Sequence, residues 1–366
     1  MPTRTASIAI VVILIAAAVI GASYYYLSKP STSAPQNIEF GISVPISEEF
    51  IPAYVAEHGG FWKQEGLNVT IVPFKGDVSQ MEAVAAGQIQ FGSTGEIGSL
   101  ISASQGTKFQ AIAMNLAQAD MVLYTLNSSK YTSCSQIKGA TIAITSLGSL
   151  NDIMVRILAQ RYNWTVGKNI FELSLGAFPA KYAALVANKT QVEIDSYDLV
   201  YSLEAKTGIR VLCDMSTILP NWVTEVLYAS NNMISNHPNT VRKVLQGYFN
   251  AVNYCRANET YCAQMTAQYE KTTISVARQI DNRAFLGPGG FSTNGTFTTQ
   301  NINAMNYERS LMLSLNISNS LIPVSQYYTT QFTPISPQNV SPEMISTNLF
   351  IGGISQSAAD ADVTVI

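Results

Sequence analysis

Charge is scarce in this chain: Asp, Glu, Lys and Arg make up only 12% of its 366 residues, about half of the ~25% usual in soluble proteins. The surface must therefore rely on Ser, Thr, Asn, Gln and Tyr. Basic residues are scarcer still. Of the 21 Lys and Arg, two (Arg4 and Lys29) precede Asn37, leaving 19 against all 24 Asp and Glu, a balance of −5 for the remainder. Such a body has no electrostatic footprint for a phosphate backbone, so no nucleic-acid partner is expected. Histidine is limited to His58 and His237, and cysteine to Cys134, Cys213, Cys255 and Cys262, none in C-x-x-C spacing. No metal site and no cofactor are expected from that inventory. No Ser-His-Asp order or phosphate loop is visible either, so the reading is not an enzyme.

What is present begins with one long apolar run. Ile8 to Ala22 carries no charge, and Tyr24, Tyr25, Tyr26 and Leu27 extend it to about 20 residues, enough to cross a ~30 Å bilayer core as a helix. Arg4 lies before the run and the tyrosines at its far end, as in a positive-inside start with an aromatic belt. Residues 1–7 are then a short leading segment, 8–27 a signal or transmembrane anchor, and 28–37 a polar, Pro-containing linker. The body is expected to be extracytoplasmic, attached to the cell membrane by this anchor or secreted after cleavage. Sequons at Asn68, Asn127, Asn163, Asn188, Asn258, Asn294 and Asn316, with an eighth at Asn339 weakened by Pro342, agree with that compartment. The four cysteines then read as structural disulfides or buried thiols, with three connectivities open. Cys255 and Cys262 flank a turn between two predicted helices and suit a short bridge, leaving Cys134 and Cys213 as the other pair.

From Ile38 onward, short β-like runs alternate with helical patterns, the signature of an α/β domain. Strands are predicted at 38–44, 67–72, 89–91, 109–115 and 121–126, with helices between the first of them. The alphabet restarts at 141–145 and runs through strands at 171–175, 192–195, 209–214 and 224–229. After His237-Pro238 the chain turns helical to about Glu270, with Val241, Val244, Leu245, Tyr248 and Val252 as an apolar stripe. Two such units imply two lobes, each a central sheet flanked by helices. The expected boundaries are 38–125 with 230–333 for the first lobe and 126–229 for the second, followed by a C-terminal extension, 334–366, that is loosely ordered or a packing strap. In open α/β sheets, ligands sit beyond the carboxyl ends of the strands, so the cleft between the lobes is the expected site.

Two post-strand loops match each other. Gly92-Ser93-Thr94-Gly95-Glu96 and Gly148-Ser149-Leu150-Asn151-Asp152 both read Gly-Ser-x-x-acid, a serine N-cap with an acid three residues on. Such helix starts aim backbone N–H groups and the positive dipole end at an anion. The ligand's acidic or hydrogen-bond-accepting group is therefore expected at Ser93, Thr94, Gly95, Gly148 and Ser149. Val44, Ser47, Gln118, Asp195 and Tyr197 would shape the rest of the pocket. Glu96 and Asp152 read as capping-box members, and Ser47-Glu48-Glu49 as a loop at the cleft edge with a solvated face for one of the acids.

The string Tyr54-Val-Ala-Glu-His-Gly-Gly-Phe-Trp62 followed by Glu65-Gly-Leu-Asn-Val69 resembles the opening of the nitrate/sulfonate/taurine and thiamine-precursor solute-binding proteins of ABC importers. Ala85-Ala-Gly-Gln-Ile-Gln-Phe-Gly92, Ile137-Lys-Gly139, Asn188 to Asp195 and Asn236 to Val241 continue the likeness, which covers about residues 38–333. The resemblance implies a two-lobed type II periplasmic-binding-protein-like fold. It also implies a monomer that captures a small anionic or polar organic solute and delivers it to a membrane permease. The alternatives it leaves are a thiamine pyrimidine precursor as ligand, or an enzyme on the same fold. Gln90 stands where the family usually has Asp, and the aromatic-Pro-Asn string of the pyrimidine branch is missing near Val44-Pro45. The Cys-rich motif of the related pyrimidine synthases is missing as well.

Overall fold

The computed structural model describes residues 36–176, 178–204 and 207–342. The expected anchor, linker and most of the C-terminal extension lie outside these residues. Among the described residues, no helix is long and apolar enough to cross a membrane.

Among the described residues, ten strands form two five-stranded sheets. The first contains β1 (Gln36–Ile42), β2 (Leu67–Pro73), β3 (Phe91–Gly95), β4 (Phe109–Leu116) and β10 (Glu225–Ser230), in the order β2-β1-β3-β10-β4. The second contains β5 (Met121–Leu126), β6 (Thr141–Ile144), β7 (Phe171–Ser174), β8 (Val192–Ser196) and β9 (Ile209–Asp214), in the order β7-β6-β8-β5-β9. Each sheet takes one antiparallel strand: β10 pairs antiparallel with β3 and β4, and β5 with β8 and β9. The chain therefore changes sheet earlier than the composition suggested. The expected boundaries put 121–125 in the first lobe and 225–229 in the second. In the structure β5 lies inside the second sheet and β10 inside the first, because each strand finds its hydrogen-bonding partners only after the crossing.

Buried side chains cover both faces of the sheets. One cluster gathers Phe40, Phe91 and Tyr248 and continues to Tyr197 and Val200 beside the second sheet. The other joins Phe109, Met114 and Tyr228 to Leu123, Ile142 and Leu158. The helix Pro238–Ala257 owes its place to the predicted stripe, since Val241, Val244, Leu245, Tyr248 and Val252 are all buried. At ~1.5–3 kcal/mol for each fully buried large apolar side chain, that face rather than helix propensity fixes the element. The cysteines pair as Cys134–Cys213 and Cys255–Cys262, with Cα separations of 5.7 and 4.9 Å.

Strand polarity places the site. The carboxyl ends of β1, β3 and β4 and the start of β10 share one edge, because Glu225 lies opposite Gly95 and Leu116. In the second sheet the ends of β8 and β9 share an edge with the start of β5, where Met121 pairs with Ser196 and Val122 with Asp214. Residues 117–120 join the first edge to the second, and residues 215–224 return. The two crossings are tied together, Thr224 N donating to Leu116 O (3.0 Å) and Thr224 Oγ1 to Gln118 O (2.5 Å). The carboxyl edges of the two sheets consequently face each other.

Candidate functional site

The two matching loops have different fates. β3 runs on through Gly92-Ser93-Thr94-Gly95, which pairs with β1 on one side and β10 on the other, so Ser93 is a strand residue and not a cap. The helix Glu96–Ser104 has Gly95 at its N-cap, with no side-chain cap. Ser93 Oγ instead donates to Glu225 Oε2 (2.7 Å) and accepts from Asn115 Nδ2 (3.1 Å). The donors at this helix start, Gly95 N and Thr94 Oγ1, both bond Asp77 Oδ1 at 3.1 and 3.0 Å. An internal carboxylate therefore occupies the position where a ligand anion was expected. Glu96 does not reach back to a cap. It is fully buried, and desolvation pushes its carboxyl up to about 8.

At the second loop Ser149 does cap the helix Leu150–Arg161, accepting from Asp152 N, while Asp152 Oδ2 accepts from Gly148 N (2.6 Å). Arg156 Nε holds the other oxygen of Asp152 at 2.6 Å. This start is also filled from within, but the expected capping box is only half formed: Asp152 takes the N–H of Gly148 rather than that of the cap residue, and Ser149 N donates to Ser146 O (3.2 Å). The anion-binding role assigned to Ser93, Thr94, Gly95, Gly148 and Ser149 thus meets donors already committed to Asp77 and Asp152.

What gathers where the carboxyl edges meet is a set of acids. Glu48 and Glu49 lie on a 3-10 turn after β1, Asp77 starts the helix Asp77–Ala85, and Asp120 ends the first crossing. Asp198 lies in the first turn of the helix Tyr197–Glu204, and Glu225 starts β10. Glu48 is wholly buried, and Asp120, Asp198 and Glu225 nearly so; Glu49 is partly exposed, so of the two acids beside Ser47 it is the one with a solvent-facing side. Burial, followed by the charges of Asp198, Asp120 and Glu49, pushes the Glu48 carboxyl well above its ordinary value. Burial and the charges of Glu225, Asp120, Asp77 and Asp198 do the same to Glu49. Glu225 is likewise pushed well up by burial and by Asp77, against the hydroxyl donation from Ser93. Asp120 rises to about 7, chiefly through burial, although the Arg283 charge works the other way. Two like charges ~4 Å apart cost ~4 kcal/mol at an effective dielectric of ~20. Glu48, Glu49, Asp120 and Glu225 therefore keep protons or need a counter-cation.

The remaining expected residues divide between this cluster and other networks. Ser47 Oγ donates to Glu48 Oε2 (3.0 Å), and Glu48 N donates to Asp198 Oδ2 (3.3 Å) across the two edges. Tyr197 N donates to Asp120 O (3.0 Å), and Gln118 lies on the same crossing. Val44 is half-buried against the core. Asp195 is engaged elsewhere, in an ion pair with the buried Lys181 and as acceptor from Tyr124 OH (3.2 Å). The hydrogen bonds of Gly148 and Ser149 also stay within the second lobe. Arg283, in a π-helical turn at 282–286, was not anticipated. Its guanidinium binds both oxygens of Asp214 and lies 4.0 Å from the Tyr197 ring centroid. Nothing in the Gly/Pro patch that follows it signals such a reach. Asn68, Asn127, Asn163, Asn188 and Asn316 are exposed, whereas Asn258 and Asn294 are partly buried.

A family model described as "NMT1/THI5 like" matches residues 47–260, more than half of the chain. The chain belongs to the NMT1/THI5-like family. Its fold is shared with the alkanesulfonate-binding protein SsuA of Xanthomonas axonopodis pv. citri, solved bound to MOPS (TM-score 0.67, 17% identity, covering 81% of this chain and 99% of that one). The periplasmic aliphatic sulphonate-binding protein SsuA of Escherichia coli is similar (TM-score 0.69, 16% identity, 87% and 99% covered). So is the desulfurization enzyme DszB (TM-score 0.59, 11% identity, 81% and 97% covered). No curated protein matches the chain by sequence. At these identities the structures establish the periplasmic-binding-protein fold for this family member, and the fold is shared by binding proteins and an enzyme.

Proposed function

We propose that this chain is the extracytoplasmic solute-binding component of an ABC importer, closing its two lobes on a small polar organic solute and presenting it to a membrane permease. The observation that carries this reading is the meeting of the two carboxyl edges across paired crossings, with polar side chains from both sheets buried between them. Membership of the family and the fold shared with SsuA support it. The N-terminal apolar run would hold the body at the membrane, or direct its export, and the exposed sequons would be acceptors on that side. Catalysis is not favoured. His58 stacks on Tyr54, and both histidines are exposed, away from the buried acids. A pyrimidine precursor is not favoured either, given the missing aromatic-Pro-Asn string.

Mass spectrometry of small molecules released by denaturing the purified full chain tests the proposal, together with X-ray scattering on adding the released solute back. A stoichiometric solute that lowers the radius of gyration is expected. The absence of any released molecule and of any compaction would sink the reading.

A further inference from the structure

Both helix starts that could hold a sulfonate or carboxylate are already satisfied by Asp77 and Asp152. An anion entering between the edges would instead confront Glu48, Glu49, Asp120, Asp198 and Glu225. The basic side chain that reaches this cluster, Arg283, is bound to Asp214 through two nitrogens and donates to Ala119 O (3.1 Å). Its charge is therefore largely spent outside the cluster.

A second observation points to a ligand, independently of the acids. The Tyr197 hydroxyl is fully buried and has no hydrogen-bond partner. Its ring lies 4.0 Å from the Arg283 guanidinium and its backbone N–H donates to Asp120 O, and Glu48, Arg283, Asp198 and Asp120 are the charges that act on the hydroxyl. Both oxygens of Asp120, Oε1 of Glu48 and Nε2 of Gln118 are also buried without partners. Buried polar atoms in a folded chain are overwhelmingly hydrogen-bonded. These unmatched oxygens are nearly all acceptors, and a donor that also carried positive charge would both bond them and offset the repulsion among the acids. Among the described residues no group of His, Cys, Asp or Glu is arranged to hold a metal ion, so the donor considered is an N–H-bearing organic group.

Resting on the solute-binding reading above, we infer that the solute is a small organic cation, a protonated amine or amidine, held where the two carboxyl edges meet by Glu48, Asp120, Asp198 and Glu225. The acids come from both sheets. Glu48 and Glu225 belong to the first, Asp198 to the second, and Asp120 to the crossing between them. One positive group can bond carboxylates of both lobes at once, so closure relieves repulsion that the closed form would otherwise carry. Only such a difference between open and closed states can drive closure. The Tyr197 hydroxyl accepts one N–H, and the Asp120 and Glu48 oxygens accept others. The SsuA proteins share the fold but bind sulfonates, so this member's specificity has the opposite sign of charge.

The test uses the purified full chain. Released small molecules are identified by mass spectrometry, and calorimetry is run with agmatine and 1,4-diaminobutane as cations and with ethanesulfonate and nitrate as anions. Asp120→Asn and Glu48→Gln preserve shape and remove a buried repulsion, so both are expected to fold and to melt at a higher temperature than the ligand-free wild type. Recovery of a cation, or heat from a cationic probe, weakened about 10- to 150-fold by either substitution, supports the inference. Recovery of an anion or a neutral solute, or wild-type affinity in both variants, overturns the charge assignment while leaving the solute-binding reading intact. No released molecule and no heat from any of the four probes overturns both.

Discussion

The loops at 92–96 and 148–152 have nearly the same sequence pattern and opposite structures. In the first, Gly-Ser-Thr-Gly is the end of a strand held between two others, its serine is fully buried, and the helix start behind it is filled by an acid from a neighbouring helix. In the second, the same pattern is a half-exposed serine cap with Asp152 reaching back to Gly148 N, closed within five residues. Local chemistry offers both outcomes, and the neighbouring strands choose between them. β10 arrives beside β3 and draws the first loop into the sheet. β6 gains no comparable partner beyond Ile144, so the second loop keeps its local cap.

The largest expected effect concerns the acids that surround the first loop, which outnumber the one raised carboxyl, Glu172, beside Asp152 at the second. In the unfolded chain Asp120, Glu225, Glu48 and Glu49 lose their protons near 4, whereas the folded protein holds them to higher pH, to about 7 for Asp120. Between those values the folded state binds more protons than the unfolded, so stability falls as pH rises. The ligand-free protein should therefore melt several degrees higher near pH 5 than near pH 8. A flat or rising profile in scanning calorimetry would erase the difference between the two regions.

Gly92→Ala should come next. A Cβ there would lie 2.4 Å from Gly41 O and 2.6 Å from Tyr228 OH, an overpacking of strand against strand expected to cost about 3 kcal/mol or to block folding. Gly148→Ala meets no neighbour, but it places Ala at φ 81° for a cost of about 1–2 kcal/mol. Urea titrations of the two variants compare them directly.

Ser93→Ala removes a buried donor from Glu225 and the acceptor of Asn115, for about 1–3 kcal/mol. Ser149→Ala removes only a cap, for about 0.5–2 kcal/mol, and should leave solute affinity unchanged. If Ser149→Ala weakens binding tenfold in calorimetry, the second helix start is part of the site after all.

Much of the fold is legible in the sequence because its signals are local. The strands at 109–116, 121–126 and 209–214 and the helix after His237-Pro238 follow from apolar runs and periodicity, and the structure places them within a residue or so of the expected limits. The errors arise where pairing partners are distant. Nothing within 92–96 reveals that Ser93 will meet Glu225, 132 positions away, and nothing around β5 shows that it belongs to the second sheet. The site was less legible for the same reason. Ser47, Gln118 and Tyr197 do converge, and Glu48 was expected at the cleft edge, but nothing local shows that Glu48, Asp77, Asp120, Asp198 and Glu225 meet until two crossings bring five separate chain segments to one place. The composition carried a hint: in a chain so poor in charge, an acid that is not on the surface needs a reason to be there.

The Cys134–Cys213 bond, with a sequence separation of 79, encloses β6, β7 and β8. Most of the second lobe is thus a covalent ring hung from the rest of the molecule by its two crossings. Closing a loop of that length removes about 4–5 kcal/mol of unfolded-chain entropy. A protease that cuts once inside the ring opens a circle without freeing a fragment, so a nicked molecule still travels as one piece until a reductant arrives. On the proposed extracytoplasmic reading, the bond converts a single cleavage from a loss into a scar.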